Sequence, residues 1–141
     1  MPIGLAALAT LAAAAPDGDS QPLTMAVEGL RSTSGNILVC VTQVAAHFPD
    51  CSADPARMHR IVPAAQADTA LGDLPPGDYA IAIIHDENGN GRLDTFAGIP
   101  REGVGFSRNP ALRFGPPRFS SARFAVAHAP VRQAIRVKYF L

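Results

Sequence analysis

Tyr79, Ile81 and Ile83 fall on one side of a run whose other side carries Ala80, Ala82 and Ile84. Only an extended strand puts neighbouring side chains on opposite faces in this way. The same period of two recurs along the chain. Leu23, Met25 and Val27 alternate with Thr24, Ala26 and Glu28, and Ile37, Val39 and Val41 alternate with Leu38, Cys40 and Thr42. Both faces of the 36–42 run are largely apolar, which predicts a central strand. Further strands are predicted near His59–Val62, over Ala122–Ala127 around Phe124 and Val126, and over Val131–Tyr139. The last places Val131, Ile135, Val137 and Tyr139 inward and Arg132, Arg136 and Lys138 outward, as an outer antiparallel strand with one wet face requires.

Turn signals separate these runs: Ser34-Gly35-Asn36, and Leu74-Pro75-Pro76-Gly77-Asp78 before Tyr79. Residues 44–58 read as a polar connection with room for one helical turn over residues 52–57. Residues 98–118 hold many glycines and prolines, little periodicity and no predicted element. A loop this long is usually functional or covers a sheet edge. The expected fold is all-β: an antiparallel two-sheet β-sandwich of about seven strands with a long irregular loop at 98–118. A small closed barrel is the alternative.

Residues 1–15 form an apolar run ending in small residues, and the chain turns polar at Pro16-Asp17-Gly18. This predicts a secretory signal cleaved near Ala13–Ala15, although no Lys or Arg precedes the run. The expected organisation is a signal peptide at 1–15, a linker at 16–21 and one domain at 22–141. No segment is long enough to span a membrane. Lys plus Arg and Asp plus Glu number 12 each, so a basic nucleic-acid footprint is not supported. The two cysteines, Cys40 and Cys51, suit one disulfide in an oxidising compartment. Their spacing fits neither a redox pair nor a zinc site.

The strand at 79–84 runs into Asp86-Glu87-Asn88-Gly89-Asn90-Gly91-Arg92-Leu93-Asp94. Oxygen-bearing side chains recur there at every second position, the arrangement by which a short loop wraps Ca²⁺. With Asp86 as position one, Asn88, Asn90, Gly91, Arg92 and Asp94 fall at three, five, six, seven and nine of the D-x-[DN]-x-[DN]-G pattern. Arg92 would contribute its carbonyl. Position twelve, where a bidentate Glu is expected, is Ala97, and Glu102 is the nearest replacement. Two or three carboxylates predict weak affinity, in the ~10⁻⁴ to 10⁻³ M range of extracellular modules. The competing reading is a metal-free Asn-Gly hairpin turn in which Asp86 and Asn88 cap backbone amides.

Other groups carry weaker signals. His85 sits on the side of Tyr79, Ile81 and Ile83 and could be a base, a ligand or, more simply, a satisfied strand-end histidine. Glu102 and Asp94 could pair for acid–base work. Ser107 lacks the second glycine of a nucleophile elbow. Phe96, Phe106, Phe114 and Phe119 are expected to pin the long loop to the core, and the absence of Trp leaves carbohydrate stacking weakly supported.

The runs Leu74–Ala80, His85–Asp94, Gly98–Ser107 and Gly115–Phe119 together resemble the bacterial exported family catalogued as domain of unknown function 2141. The likeness covers roughly residues 22–141 and implies a periplasmic or secreted domain, with no activity or catalytic residues attached. The Pro-Gly-x-Tyr turn is also similar to those of transthyretin-like and carboxypeptidase regulatory-like sandwiches, so an immunoglobulin- or transthyretin-like arrangement is expected by analogy. The functional expectation is a non-enzymatic, Ca²⁺-stabilised envelope domain that binds or scaffolds an extracellular partner. The alternatives are an envelope hydrolase using Glu102, Asp94 or His85, and a sugar- or peptide-binding module.

Overall fold

The computed structural model describes residues 19–51, 53–66, 68–113 and 115–141. The expected signal peptide, the first half of the expected linker (16–18) and Phe114 lie outside these. Ten strands are found among the described residues: β1 (Gln21–Glu28), β2 (Asn36–Thr42), β3 (Met58–Pro63), β4 (Asp68–Leu74), β5 (Gly77–Asp86), β6 (Thr95–Phe96), β7 (Ile99–Pro100), β8 (Gly103–Phe106), β9 (Phe124–Val126) and β10 (Val131–Arg136). The chain is thus mostly β, with several sheets and none of them closed, so the barrel alternative is dropped. Among the described residues, no helix is long and apolar enough to cross a membrane.

One sheet has the order β10-β1-β4, and a larger one has β3-β2-β5-β8 with β9 pairing the start of β5. The inward residues of both meet in one cluster: Leu23, Met25 and Val27 from β1, Ile37, Val39 and Val41 from β2, Tyr79, Ile81 and Ile83 from β5, and Ile135 from β10. These are the alternation sets of the sequence, and burying each full-sized aliphatic side chain contributes about 1.5–3 kcal/mol. As expected, β2 is central and β10 lies at an edge.

Several expectations are corrected. β1 and β10 run parallel, so the sheets are not purely antiparallel. β4 has no clean alternation in sequence because its register with β1 shifts between Leu23 and Thr24. Gln21, expected in the linker, opens β1. Of the expected helical turn at 52–57, Ser52 lies outside the described residues and residues 53–57 hold no helix; short helices are found instead at Ala45–His47 (a 3-10 turn) and at α1 (Phe119–Ala122). Residues 98–118 are not one irregular loop, for they contain β7 and the fully buried β8. Gly-Val-Gly-Phe carries little strand propensity. A side chain at Gly103 would strike Val137 and Tyr139, and one at Gly105 would strike Ile135, so close approach demands glycine there.

Cys40 and Cys51 form the expected disulfide, with Cα atoms 6.4 Å apart. It ties β2 to the 44–57 connection. That connection is held also by Thr42, whose hydroxyl donates to Asp54 at 2.5 Å. Together with the Ala56 N–H this bond lowers the Asp54 pKa. Phe106 and Phe119 each meet Phe48 edge-on, with centroids 5.8 and 6.1 Å apart, and so pin their segments as expected. Phe96 does not: it is 61% exposed and lies under the Arg101 guanidinium instead.

Candidate metal centre

β5 delivers Asp86 to the end of the larger sheet, where its side chain is 1% exposed. Its two oxygens accept the Asn90 N–H at 3.2 Å and the Gly91 N–H at 2.8 Å. Asn88 Oδ1 accepts the Asn90 N–H at 3.2 Å, and Asn90 Oδ1 accepts the Arg92 N–H at 3.1 Å. Each alternate oxygen thus folds the loop around itself, and Gly91 takes the positive φ of 77° that this curl needs. The amide capping of the metal-free reading is therefore made. Its hairpin is not, because β5 does not pair with β6; β6 pairs with β7.

Asp94 closes the curl. Asn88 Nδ2 donates to its Oδ2 at 2.8 Å, and Asn90 Nδ2 lies 2.8 Å from each of its oxygens. These N–H donors hold its carboxyl below the ordinary carboxylate range. The Arg92 side chain is 79% exposed and 3.9 Å from Asp94, which leaves its carbonyl as the group available to the loop.

Glu102 arrives from the chain just before β8. The Arg101 N–H donates to the Asp94 carbonyl at 2.8 Å and brings the two segments together. The last ladder pair of β5 with β8 is His85 opposite Gly103. One step further, the register sets Asp86 opposite Glu102. Like charges directly opposite on adjacent strands repel. Glu102 is 5% exposed, and no well-formed hydrogen bond reaches either of its side-chain oxygens while it is ionised; its near neighbours are the Asp94 carboxyl and the Asp94 N–H. Burial first, then a hydrogen bond that its protonated form makes to the Asp94 carboxyl, and then the charge of Asp86, push its pKa up to about 7. Asp94 and Glu102 line an open recess of about 510 Å³ with Arg31, Glu87, Asn88, Thr95 and Arg101.

The three carboxylates are neighbours, but their oxygens are not drawn to one point. Among the described residues, no three His, Cys, Asp or Glu side chains have the spacing that holds a metal. Asp86 is turned to backbone amides and Asp94 to carboxamide N–H groups. Of the three, only Glu102 has buried oxygens to which no well-formed hydrogen bond is donated, and its one close polar neighbour is another acid, Asp94. The donor set Asp86, Asn88, Asn90, the Arg92 carbonyl, Asp94 and Glu102 consists wholly of oxygen, the chemistry that suits Ca²⁺ or Mg²⁺.

His85 is fully buried on the core side, apart from the recess. Its Nε2 is 2.8 Å from the Ser34 carbonyl, which can only accept, so Nε2 carries the proton. Nδ1 then accepts from the Tyr139 hydroxyl at 2.7 Å. Both ring nitrogens are occupied, as a satisfied strand-end histidine requires. Gly35, at φ 69°, lets the crossover from β1 pack against the Asp86 carbonyl and brings Ser34 within reach. Ser107 is equally structural: its buried Oγ accepts the Ile81 N–H at 2.9 Å and donates to the Ala122 carbonyl at 2.5 Å.

Sequence reasoning missed Arg31. Its Nε donates to Glu87 Oε1 at 2.8 Å, Nη1 to the Leu141 carbonyl at 2.8 Å and Nη2 to the Arg101 carbonyl at 3.3 Å. The guanidinium also lies over the Tyr139 ring, 4.4 Å from its centroid. Arg31 and Ser32 together lower the Glu87 pKa. A lone arginine in a turn belongs to no motif, so no sequence signal could have found it.

Among models of known families, residues 25–134 match the one described as "Uncharacterized protein conserved in bacteria (DUF2141)". No curated protein and no solved structure matches the chain.

Proposed function

The chain belongs to the DUF2141 family, and from that premise we propose a non-enzymatic, exported β-sandwich domain whose 86–102 region binds Ca²⁺. Residues 22–141 form its single domain, and the ion stiffens a surface that binds or scaffolds a partner at the cell envelope. The observation that carries this reading is Glu102, a buried carboxyl that no well-formed hydrogen bond stabilises as an anion, beside Asp94 and one step beyond the His85–Gly103 pair, toward Asp86. Such a group is costly unless a positive charge offsets it. Asp86, Asn88, Asn90, Asp94 and the Arg92 carbonyl supply the remaining oxygens. The cation would contribute charge neutralisation and a cross-link between the loop and the strand pair β5–β8.

Titration calorimetry with CaCl₂ at pH 7.5 tests the site. Binding heat that is lost in both Asp86→Ala and Glu102→Gln supports it, and so does a melting temperature higher in millimolar Ca²⁺ than in EDTA. Absence of heat together with superimposable melting curves would reject it. Export is tested separately, by N-terminal sequencing of protein recovered outside the cytoplasm, with cleavage near Ala13–Ala15 as the expected result.

One observation favours a hydrolase as a second reading. Asp94 and Glu102 share the recess, and their pKa values are displaced in opposite directions. Separated pKa values are what a general acid and its partner carboxylate need. His85 takes no part, being hydrogen-bonded in the core. Release of reducing ends from an envelope polysaccharide, abolished by Asp94→Asn and insensitive to EDTA, would favour hydrolysis over cation binding.

A further inference from the structure

The larger sheet has a second apolar face. Across β2, β5 and β8 the register aligns Leu38 with Ile84 and Val104, and Cys40 with Ala82 and Phe106. These side chains point away from the shared core. At one end Phe48, Leu112 and Phe119 cover them. Over the rest runs a groove of about 980 Å³, walled by residues of the 91–100 segment on one side and by Leu112, Arg113, Gly115 and Pro116 on another. Leu93 and Ile99, 37% and 43% exposed, line it near the solvent. An exposed apolar concavity of this size, at the top of the about 300–1,000 Å³ range of small-molecule sites, marks a place of binding.

The lining also has a charge. It holds three arginines, Arg57, Arg92 and Arg113, against one aspartate, Asp50. Arg57 is tied to the Asp54 carbonyl; Arg92 is only loosely paired with Asp94, at 3.9 Å with its side chain 79% exposed, and Arg113 has no ion-pair partner among the described residues. The floor is the face of a sheet, so its backbone groups are spent in the ladders. A peptide laid there would lose its water hydrogen bonds without replacement, whereas an alkyl chain would lose none. The floor has no Trp or Tyr on which a sugar could stack.

We infer that this groove binds a single-chain amphiphile with an anionic head, the chain lying on Leu38, Ile84 and Val104 and the head meeting Arg92 and Arg113. The inference does not depend on the cation, because Arg92 acts here through its side chain.

The test is displacement of a fluorescent fatty acid from the purified protein in EDTA, with oleate, oleyl alcohol and dodecyltrimethylammonium as competitors. Oleate is expected to compete about tenfold better than the alcohol, the effect of one charge-assisted contact, and the ammonium not at all. Arg92→Gln combined with Arg113→Gln should remove the preference for oleate over the alcohol. Ile84→Trp should fill the groove and abolish binding. Should that variant not fold, Ile99→Glu, at an exposed position in the wall, should weaken oleate binding instead. Equal competition by oleate and the alcohol, preference for the ammonium, or no displacement below the micellar concentration would overturn the inference. So would a dimer in sedimentation that Ile99→Glu dissociates, because the groove would then belong to a second copy of the chain.

Discussion

The Tyr139 hydroxyl lies 2.7 Å from His85 Nδ1 and links the segment after β10 to β5 in the other sheet. The same hydroxyl accepts the Arg31 N–H at 3.1 Å. Three distant parts of the chain therefore converge on one phenol beside the candidate metal centre. Tyr139→Phe keeps the ring and removes the donor, leaving a buried imidazole nitrogen unsatisfied. The expected loss is about 1–3 kcal/mol in denaturant unfolding. Ca²⁺ affinity should not change, because neither residue belongs to the oxygen set.

The metal-free protein should lose stability as pH rises from about 4.5 to 7. Glu102 has a folded pKa of about 7 against an ordinary 4.5, so between these values the native state holds a proton that the unfolded chain has released. The stability it allows is complete below 4.5 and falls away as pH climbs through 7, by at most about 3 kcal/mol. Asp94 and Glu87 act in the opposite sense: their pKa values are lowered, so their contributions are lost as pH falls below the ordinary carboxylate range. Urea unfolding in EDTA across pH 4 to 8 checks this. Glu102→Gln should flatten the alkaline side of the curve, and millimolar Ca²⁺ should do the same for the unmodified protein only.

Reduction of the Cys40–Cys51 bridge should destabilise the fold without abolishing it. The bond closes a loop with a sequence separation of 11, for which chain entropy gives about 3 kcal/mol. Thermal melting with and without reductant measures the difference, and Cys40→Ala with Cys51→Ala should reproduce it. No shift on reduction would mean that the Thr42–Asp54 bond and the packing of Phe48 on Phe106 and Phe119 hold the connection without the bridge.

Ser107→Ala should cost about 1–3 kcal/mol, because it strands the Ile81 N–H and the Ala122 carbonyl in a fully buried place. A nucleophilic serine would behave otherwise: its loss would spare stability. Chemical denaturation of this one variant therefore separates a structural hydroxyl from a reactive one.

Much of the site could be read from one dimension because its oxygens belong to one continuous stretch. Asp86, Asn88, Asn90 and Asp94 are close in sequence, and their contacts with each other and with loop amides are local. Glu102 was reachable only as the nearest spare carboxylate. Its importance comes from the β5–β8 register, and β8 hides behind two glycines that read as loop. Arg31 left no trace, because its partners are Glu87, Arg101, Tyr139 and Leu141, all far along the chain.

Alternation by itself determined which faces of β1, β2, β5 and β10 are buried, since side-chain direction follows from strand geometry one residue at a time. It also determined the acidic curl after β5 and offered the two cysteines for pairing. Tertiary structure alone decided the parallel pairing of β1 with β10, the strand at Gly103–Phe106, the placing of Glu102 opposite Asp86 and the second apolar face with its groove. Each of these depends on register between strands remote in sequence. Register is set by how whole faces fit together, and a local pattern holds no record of that fit.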